Sequence, residues 1–277
     1  MSAGSEHSLI DDAWDDLVNA EIYAEFTETW SVYHFLNQTL ADAVFAEKPA
    51  WANLRILDLA CGSGATTQAL LRHLGPQGEI HCVDRAAAMV AVARELIEDP
   101  RVTFEVCAAE ELHHRKHTDF DTVVCNAAFW HFQGNPLAQV AKRLRPNGSL
   151  YFTVPANYVR GLPVEGHPLQ AAITRVLTES HSDLPAGVRD IDPDALDAEA
   201  TSIGFEPGQW TPLVYESTQA EFVALLKIPA MSEWIAPGLN RQQRDALINQ
   251  ASRHLDPNEP VTVNWFVVRF RRVSDAD

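Results

Sequence analysis

Asp58, Gly62, Gly64, Asp84, Asn126 and His131 are the residues whose types and spacing could do chemistry in this chain. Asp58 stands inside a short apolar run, Leu54 to Leu59, that stops abruptly at Cys61-Gly62-Ser63-Gly64. The stretch from Ala65 to Leu74 then has helical spacing, with Ala69, Leu70 and Leu74 on one side. A strand, a glycine turn and a helix start bring backbone close to whatever lies above the strand end. The glycines permit that approach, and a helix N-terminus favours a negative or electron-rich ligand. Asp84 closes the next apolar run, Glu79 to Val83, twenty residues past Gly64. In nucleotide-binding folds this is where ribose hydroxyls are held. One carboxylate can accept from both hydroxyls, and Asp84 also suits the N-cap of a helix from Ala86 to Ile97.

A dinucleotide site would carry Gly-x-Gly-x-x-Gly, but the third slot is Thr67. The order Asp58-Leu59-Ala60-Cys61-Gly62-Ser63-Gly64 instead resembles the first motif of class I S-adenosylmethionine-dependent methyltransferases. Leu144-Arg145-Pro146-Asn147-Gly148-Ser149-Leu150 is similar to a late motif of the same family. The resemblance is strong over residues 50 to 157 and beyond them rests on element order alone. It implies an α/β fold: a doubly wound, Rossmann-like sheet of seven strands, with N-terminal helices and an inserted helical lid. It also implies S-adenosylmethionine as the cofactor, and a cationic α-amino group gives Asp58 something to attract. The cofactor contacts it implies are Tyr33, Asp58, Ala60, Cys61, Gly62, Gly64, Asp84, Arg85, Met89, Ala109, Glu110 and Asn126. Arg85 and Met89 would pack the adenine, and Asn126 would offer its carbonyl or side chain to the α-amino group.

Two departures and one absence refine the expectation. Ala108 stands where such enzymes usually have an adenine-binding Asp, leaving the Ala109 backbone or the Glu110 side chain to replace it. Asn126 replaces the Asp used by magnesium-dependent catechol-type relatives, so no metal is expected. There is no Asn-Pro-Pro-Tyr or Asp-Pro-Pro-Tyr run, the mark of amino-methylating nucleic-acid enzymes. His131, flanked by Phe129, Trp130 and Phe132, is the candidate general base, with bracing of its loop as the alternative. His113, His114 and His117 lack a carboxylate or cysteine partner at ligand spacing and read as a solvated loop.

These residues need elements to position them. The 277 residues suffice for a large domain with a lid, and 46% hydrophobic against 21% charged residues is ordinary for a globular protein. Residues 1–48 read as an N-terminal helical flap, with apolar steps from Ile10 to Phe45 that bring Tyr23 or Tyr33 inward. Residues 49–217 read as the core, 218–258 as a helical lid insertion and 259–277 as the last strand of the core. The lid helices open at Thr218-Gln219-Ala220-Glu221 and Asn240-Arg241-Gln242-Gln243, both with capping-box spacing. Phe222, Met231 and Trp234 are candidate pocket walls there. A short helix, Leu169 to Leu177, lies between the core strands, in a segment that also carries His167 and His181.

A net charge of −17 disfavours nucleic acid, no run reaches the ~18 apolar residues of a membrane span, and the N-terminus lacks a signal-peptide pattern. A small-molecule partner and a cytoplasmic location are therefore expected, and a homodimer stays open. The four cysteines, Cys61, Cys82, Cys107 and Cys125, have no Cys-x-x-Cys spacing and read as apolar fillers. Two further readings are carried: a methyltransferase-like fold that binds the cofactor without methylating, and an NAD-dependent oxidoreductase.

Overall fold

The computed structural model describes residues 13–29, 31–114, 119–132, 136–162, 172–173, 191–236 and 238–274. The side chains of Ser31, His113, His114 and Trp234 lie outside that description, as do Asn135, His117, His167 and His181 and most of the helix expected at 169–177.

Five strands run in parallel: β1 (Arg55–Leu59), β2 (Glu79–Asp84), β3 (Val102–Val106), β4 (Phe120–Cys125) and β5 (Leu144–Pro155). β6 (Gln209–Thr218) and β7 (Pro260–Arg271) complete a seven-stranded sheet in the order β3-β2-β1-β4-β5-β7-β6. β7 is antiparallel to both of its neighbours. Strand order reverses between β1 and β4, and a crevice at the carboxyl ends of such a pair is where open α/β sheets take ligands.

The central strands are apolar on both faces because helices cover both. Ile56, Ile80, Cys82 and Val124 pack with α2 (Ser31–Phe45) and α3 (Ala65–Leu71) through Leu40, Val44, Ala69 and Leu70. Leu57, Leu59, Val83, Val123 and Cys125 face the other way, onto α5 (Pro136–Ala141) and α6 (Pro193–Ser202) through Leu137, Val140 and Ala200. The period of two along each strand sorts the side chains between these faces. All four cysteines are free and buried within them, as expected of apolar fillers.

The apolar steps from Ile10 to Phe45 predict one continuous pattern, but α1 (Leu17–Thr29) and α2 are separate helices. α1 packs on α4 (Ala87–Leu96), whereas α2 packs on α3. Arg145-Pro146-Asn147-Gly148, with the composition of a turn, does not precede β5 as one. It lies inside the strand, with a register shift and Asn147 at φ 62°.

Three helices are inserted between β6 and β7: α7 (Gln219–Leu226), α8 (Pro229–Ile235) and α9 (Arg241–Ser252). The insertion leaves and returns at one point, because Thr218 pairs with Pro260 across the strands. The capping box at Asn240 is complete, with Asn240 and Gln243 exchanging backbone bonds at 2.9 and 3.0 Å. The one expected at Thr218 is half formed: Thr218 Oγ1 accepts from Glu221 N at 3.3 Å, while the Glu221 carboxylate turns to another helix. Among the described residues no helix is long and apolar enough to cross a membrane.

Candidate cofactor site

β1 ends in a turn that only small residues can follow. Ala60, Gly62 and Gly64 take φ values of 57°, 53° and 86°, in the left-handed region. Gly64 has φ 86°, so glycine is favoured there by conformation, and a Cβ would also displace the tip of Ile97, whose Cδ1 would lie 2.5 Å away. Cys61 N–H donates to Val83 O at 3.1 Å, and Gly64 N–H to Cys61 O at 2.9 Å, which ties the turn to β2. The Cys61 thiol is pushed up by its hydrogen bond with Cys82 and then by burial, so it stays protonated. Ala127, just past β4, also has positive φ, at 52°. Non-glycine residues therefore hold strained backbone at both strand ends that border the crevice.

Asp58 is fully buried beneath the turn. Its Oδ2 accepts from Thr67 Oγ1 at 2.6 Å, whereas Oδ1 has no partner. Burial pushes its pKa up to about 7, with repulsion from Asp84 adding to the rise and the Thr67 hydrogen bond opposing it. Thr67 occupies the slot of a third glycine, and its hydroxyl also lies 3.0 Å from Cys82 Sγ. A side chain that fills the gap and grips Asp58 thus replaces the bare backbone of a dinucleotide turn.

Asp84, half-buried at the end of β2, accepts from Gly62 N at 2.8 Å through Oδ2 and from Ala86 N at 2.9 Å through Oδ1. Burial raises its pKa and these backbone bonds oppose the rise. The two readings of Asp84, helix start and hydroxyl acceptor, are compatible in this geometry.

The N-terminal helices close over the turn. Tyr23, from α1, lies with its ring edge at contact distance from where a Gly62 Cβ would be, 3.6 Å. Burial and then the neighbouring Tyr33 raise its pKa, followed by the charges of Asp84 and Asp58. Tyr33 is buried one layer out, edge-on to Tyr23 and Phe26 with centroids 5.8 and 5.7 Å apart. Of the two tyrosines, Tyr23 is the one against the glycine turn. Met89 is buried with Ala20, Ala24, Ala86 and Val92 beneath Trp14 and Tyr23.

A polar network missed in the sequence joins α2 to the crevice. Asn37 Oδ1 accepts from Thr66 Oγ1 at 2.7 Å and from Asn126 Nδ2 at 2.6 Å. Thr153 Oγ1 donates to Asn126 Oδ1 at 2.5 Å and accepts from Ala127 N at 2.9 Å. The Asn126 side chain is therefore engaged at both ends, and its backbone carbonyl is the group left to offer. Asn37 is a polar residue within an amphipathic helix, which gave no local signal of this role.

The remaining candidates are less enclosed. Ala109 is half-buried and Glu110 exposed at the start of a 3-10 turn, Ala109–His114, and both line a small cleft with Leu59, Phe132 and Gln139. Arg85 is exposed. His131 ends a 3-10 turn, Phe129–His131, and is exposed, its ring 5.4 Å from that of Trp130. Trp130 faces inward, edge-on to Tyr158 at 5.1 Å.

Residues 56–148 match the family model described as "Methyltransferase domain". The malonyl-[acyl-carrier protein] O-methyltransferase of Priestia megaterium is 30% identical over 129 residues, covering 46% of this chain and 44% of that protein. The ubiquinone biosynthesis O-methyltransferase of Xanthomonas campestris is 34% identical over 125 residues, covering 43% and 50%. The chain thus spans about half the length of these curated relatives. Phosphoethanolamine N-methyltransferase 2 of Haemonchus contortus, solved with S-adenosyl-L-methionine, has a TM-score of 0.59 at 17% identity, covering 99% of this chain and 61% of that one. A cyclopropane-fatty-acyl-phospholipid synthase-like protein from Lactobacillus casei has a TM-score of 0.51 at 17% identity, covering 85% and 90%. At such identities the structural likeness is one of fold.

Proposed function

We propose, for a chain whose residues 56–148 match the model of a methyltransferase domain, class I S-adenosylmethionine-dependent, metal-independent methyl transfer to an O, N or C atom of a small hydrophobic metabolite of natural-product type. The observation that carries this reading is Asp58: a fully buried carboxylate with one oxygen unpaired, set under a glycine turn at the reversal of strand order. An unpartnered buried charge is costly, and a cationic amino group placed there relieves it. Asp84, a carboxylate at the end of β2 beside the glycine turn, suits vicinal hydroxyls, and the Asn126 carbonyl suits a second N–H of the amino group.

The cofactor, when bound, supplies an electrophilic methyl group on a sulfonium. The protein has to hold the acceptor in line, exclude water and take up a proton where the acceptor is neutral. Tyr23, Tyr33 and the helices that carry them serve as the flap, and the insertion after β6 as the lid. His131 is the group we assign to the proton, and its exposure lets that proton pass on to solvent. The relatives act on malonyl-acyl carrier protein and ubiquinone precursors by name, which supports small or tethered acceptors over nucleic acid, as does the net charge of −17.

Incubation with methyl-labelled S-adenosylmethionine and a metabolite extract tests the reading. A labelled small-molecule product is expected. Cofactor binding without labelled product under any condition would favour the alternative, a methyltransferase-like binding protein.

A further inference from the structure

An aromatic cluster adjoins the glycine turn. Tyr23 lies against Gly62 and edge-on to Tyr33. Tyr33 is buried in one cluster with Phe26, Leu36, Ile228 and Trp265, and Ala127 and Trp130 pack against that cluster. Trp265 sits in β7 opposite Pro155, where β5 ends, and therefore at the ligand edge of the sheet. Its ring centroid is 6.1 Å from that of Trp130.

Trp265 is 9% exposed, and its Nε1–H is buried without a hydrogen-bond partner. Buried tryptophans usually find a partner for this group, and leaving one unpaired costs about 1–3 kcal/mol. Phenylalanine would fill an apolar wall without that cost. A donor kept at the ligand edge, one ring away from the residues over the cofactor turn, is suited to an acceptor atom that arrives with the substrate. The Glu221 carboxylate, buried on Val32 at the same seam of helices, disfavours a second negative charge. A neutral oxygen on a flat apolar body fits this compartment best.

On the methyltransferase reading given above, we propose that Trp265 selects the methyl acceptor. Its indole N–H donates to a carbonyl or phenol oxygen of a neutral, flat, largely apolar molecule held among Tyr33, Trp130 and Trp265. Trp210 is the natural control. Its Nε1 is also buried and unpaired, but it sits in β6 opposite Val268 of β7 and packs on the opposite core against Phe266.

The test uses full-length protein loaded with S-adenosylhomocysteine and two probes of one shape, 2-naphthol and 2-methylnaphthalene. Calorimetry should show about tenfold tighter binding of the naphthol, the worth of one neutral hydrogen bond. That preference should vanish in Trp265→Phe and persist in Trp210→Phe. In the wild-type protein, the Trp265 indole N–H resonance, assigned from its contacts, should move downfield with the naphthol and not with the hydrocarbon. This readout stands even if the variant misfolds. A preference that survives Trp265→Phe, an unmoved Trp265 resonance, or loaded protein that binds neither probe would overturn the proposal. Failure to bind S-adenosylhomocysteine at all would instead overturn the underlying reading.

Discussion

Val32 N–H donates to Glu221 Oε1 at 2.7 Å, across 189 positions of sequence, in a site from which solvent is excluded. The bond joins the first turn of α2 to the first turn of α7, and so the N-terminal helices to the insertion before β7. A second tie lies nearby, from Ala230 N to Asn19 Oδ1 at 3.0 Å. A carboxylate at a helix N-terminus is favourable electrostatically as well as through the hydrogen bond. The N-terminal helices and the insertion are thereby tied to each other.

Glu221→Ala should therefore lower stability by about 1.5–3 kcal/mol, the range for a charged hydrogen bond. Glu221→Gln keeps the acceptor and loses the charge, and should cost about half as much. Thermal denaturation of the three proteins checks the order, and equal losses would contradict it.

Asp58 gives cofactor affinity a pH dependence of known sign. Only its ionised form attracts a cation, and its pKa is near 7 in the folded protein. Affinity should fall as pH drops from 8 to 6, approaching tenfold per unit below the midpoint. Stability without cofactor runs the other way. The folded protein keeps this proton up to about pH 7, whereas the unfolded chain releases it near pH 4, so the contribution to stability is lost as pH rises between these values. Asp58→Asn should remove that loss, melting a few degrees above wild type at pH 8 but not at pH 4, while binding cofactor poorly. A melting difference independent of pH would argue against a buried titrating carboxylate.

Thr67 sets where that midpoint lies, because its hydrogen bond favours ionised Asp58. Thr67→Val keeps the volume and removes the bond, so the pH midpoint of cofactor affinity should rise above that of wild type. An unchanged midpoint in calorimetric titrations at several pH values would mean that the Thr67 hydroxyl does not govern Asp58.

His131 is exposed, so its removal should leave folding and cofactor affinity alone. For an acceptor that must lose a proton, His131→Ala should lower kcat by about 100-fold. Unchanged turnover would assign His131 to loop bracing only.

Much of the site is legible in local sequence because the turn is local. Asp58 through Gly64 are consecutive, and the strand-turn-helix order fixes where Asp84 falls. The misses are tertiary. Asn37 and Thr153 look like polar positions of a helix and a strand until the fold brings both to Asn126. The choice between Tyr23 and Tyr33 depends on which helix packs against the glycine turn, which their shared apolar spacing hides. Glu221 has the spacing of a capping box, but the N-terminus of α2 offers a buried donor and takes its carboxylate. Trp265 reads as one more apolar residue of the last strand, since no sequence pattern shows that an indole N–H has no partner.

The central claim is that the glycine turn holds an adenosyl amino acid, with its hydroxyls on Asp84 and its amino group on Asp58. Calorimetry at pH 8 with S-adenosylmethionine and with NAD, on wild type and Asp84→Ala, tests it most directly. The account predicts binding of S-adenosylmethionine in preference to NAD, weakened by about 1.5–3 kcal/mol in Asp84→Ala. Preference for NAD, or an affinity for S-adenosylmethionine that the substitution leaves untouched, would contradict it.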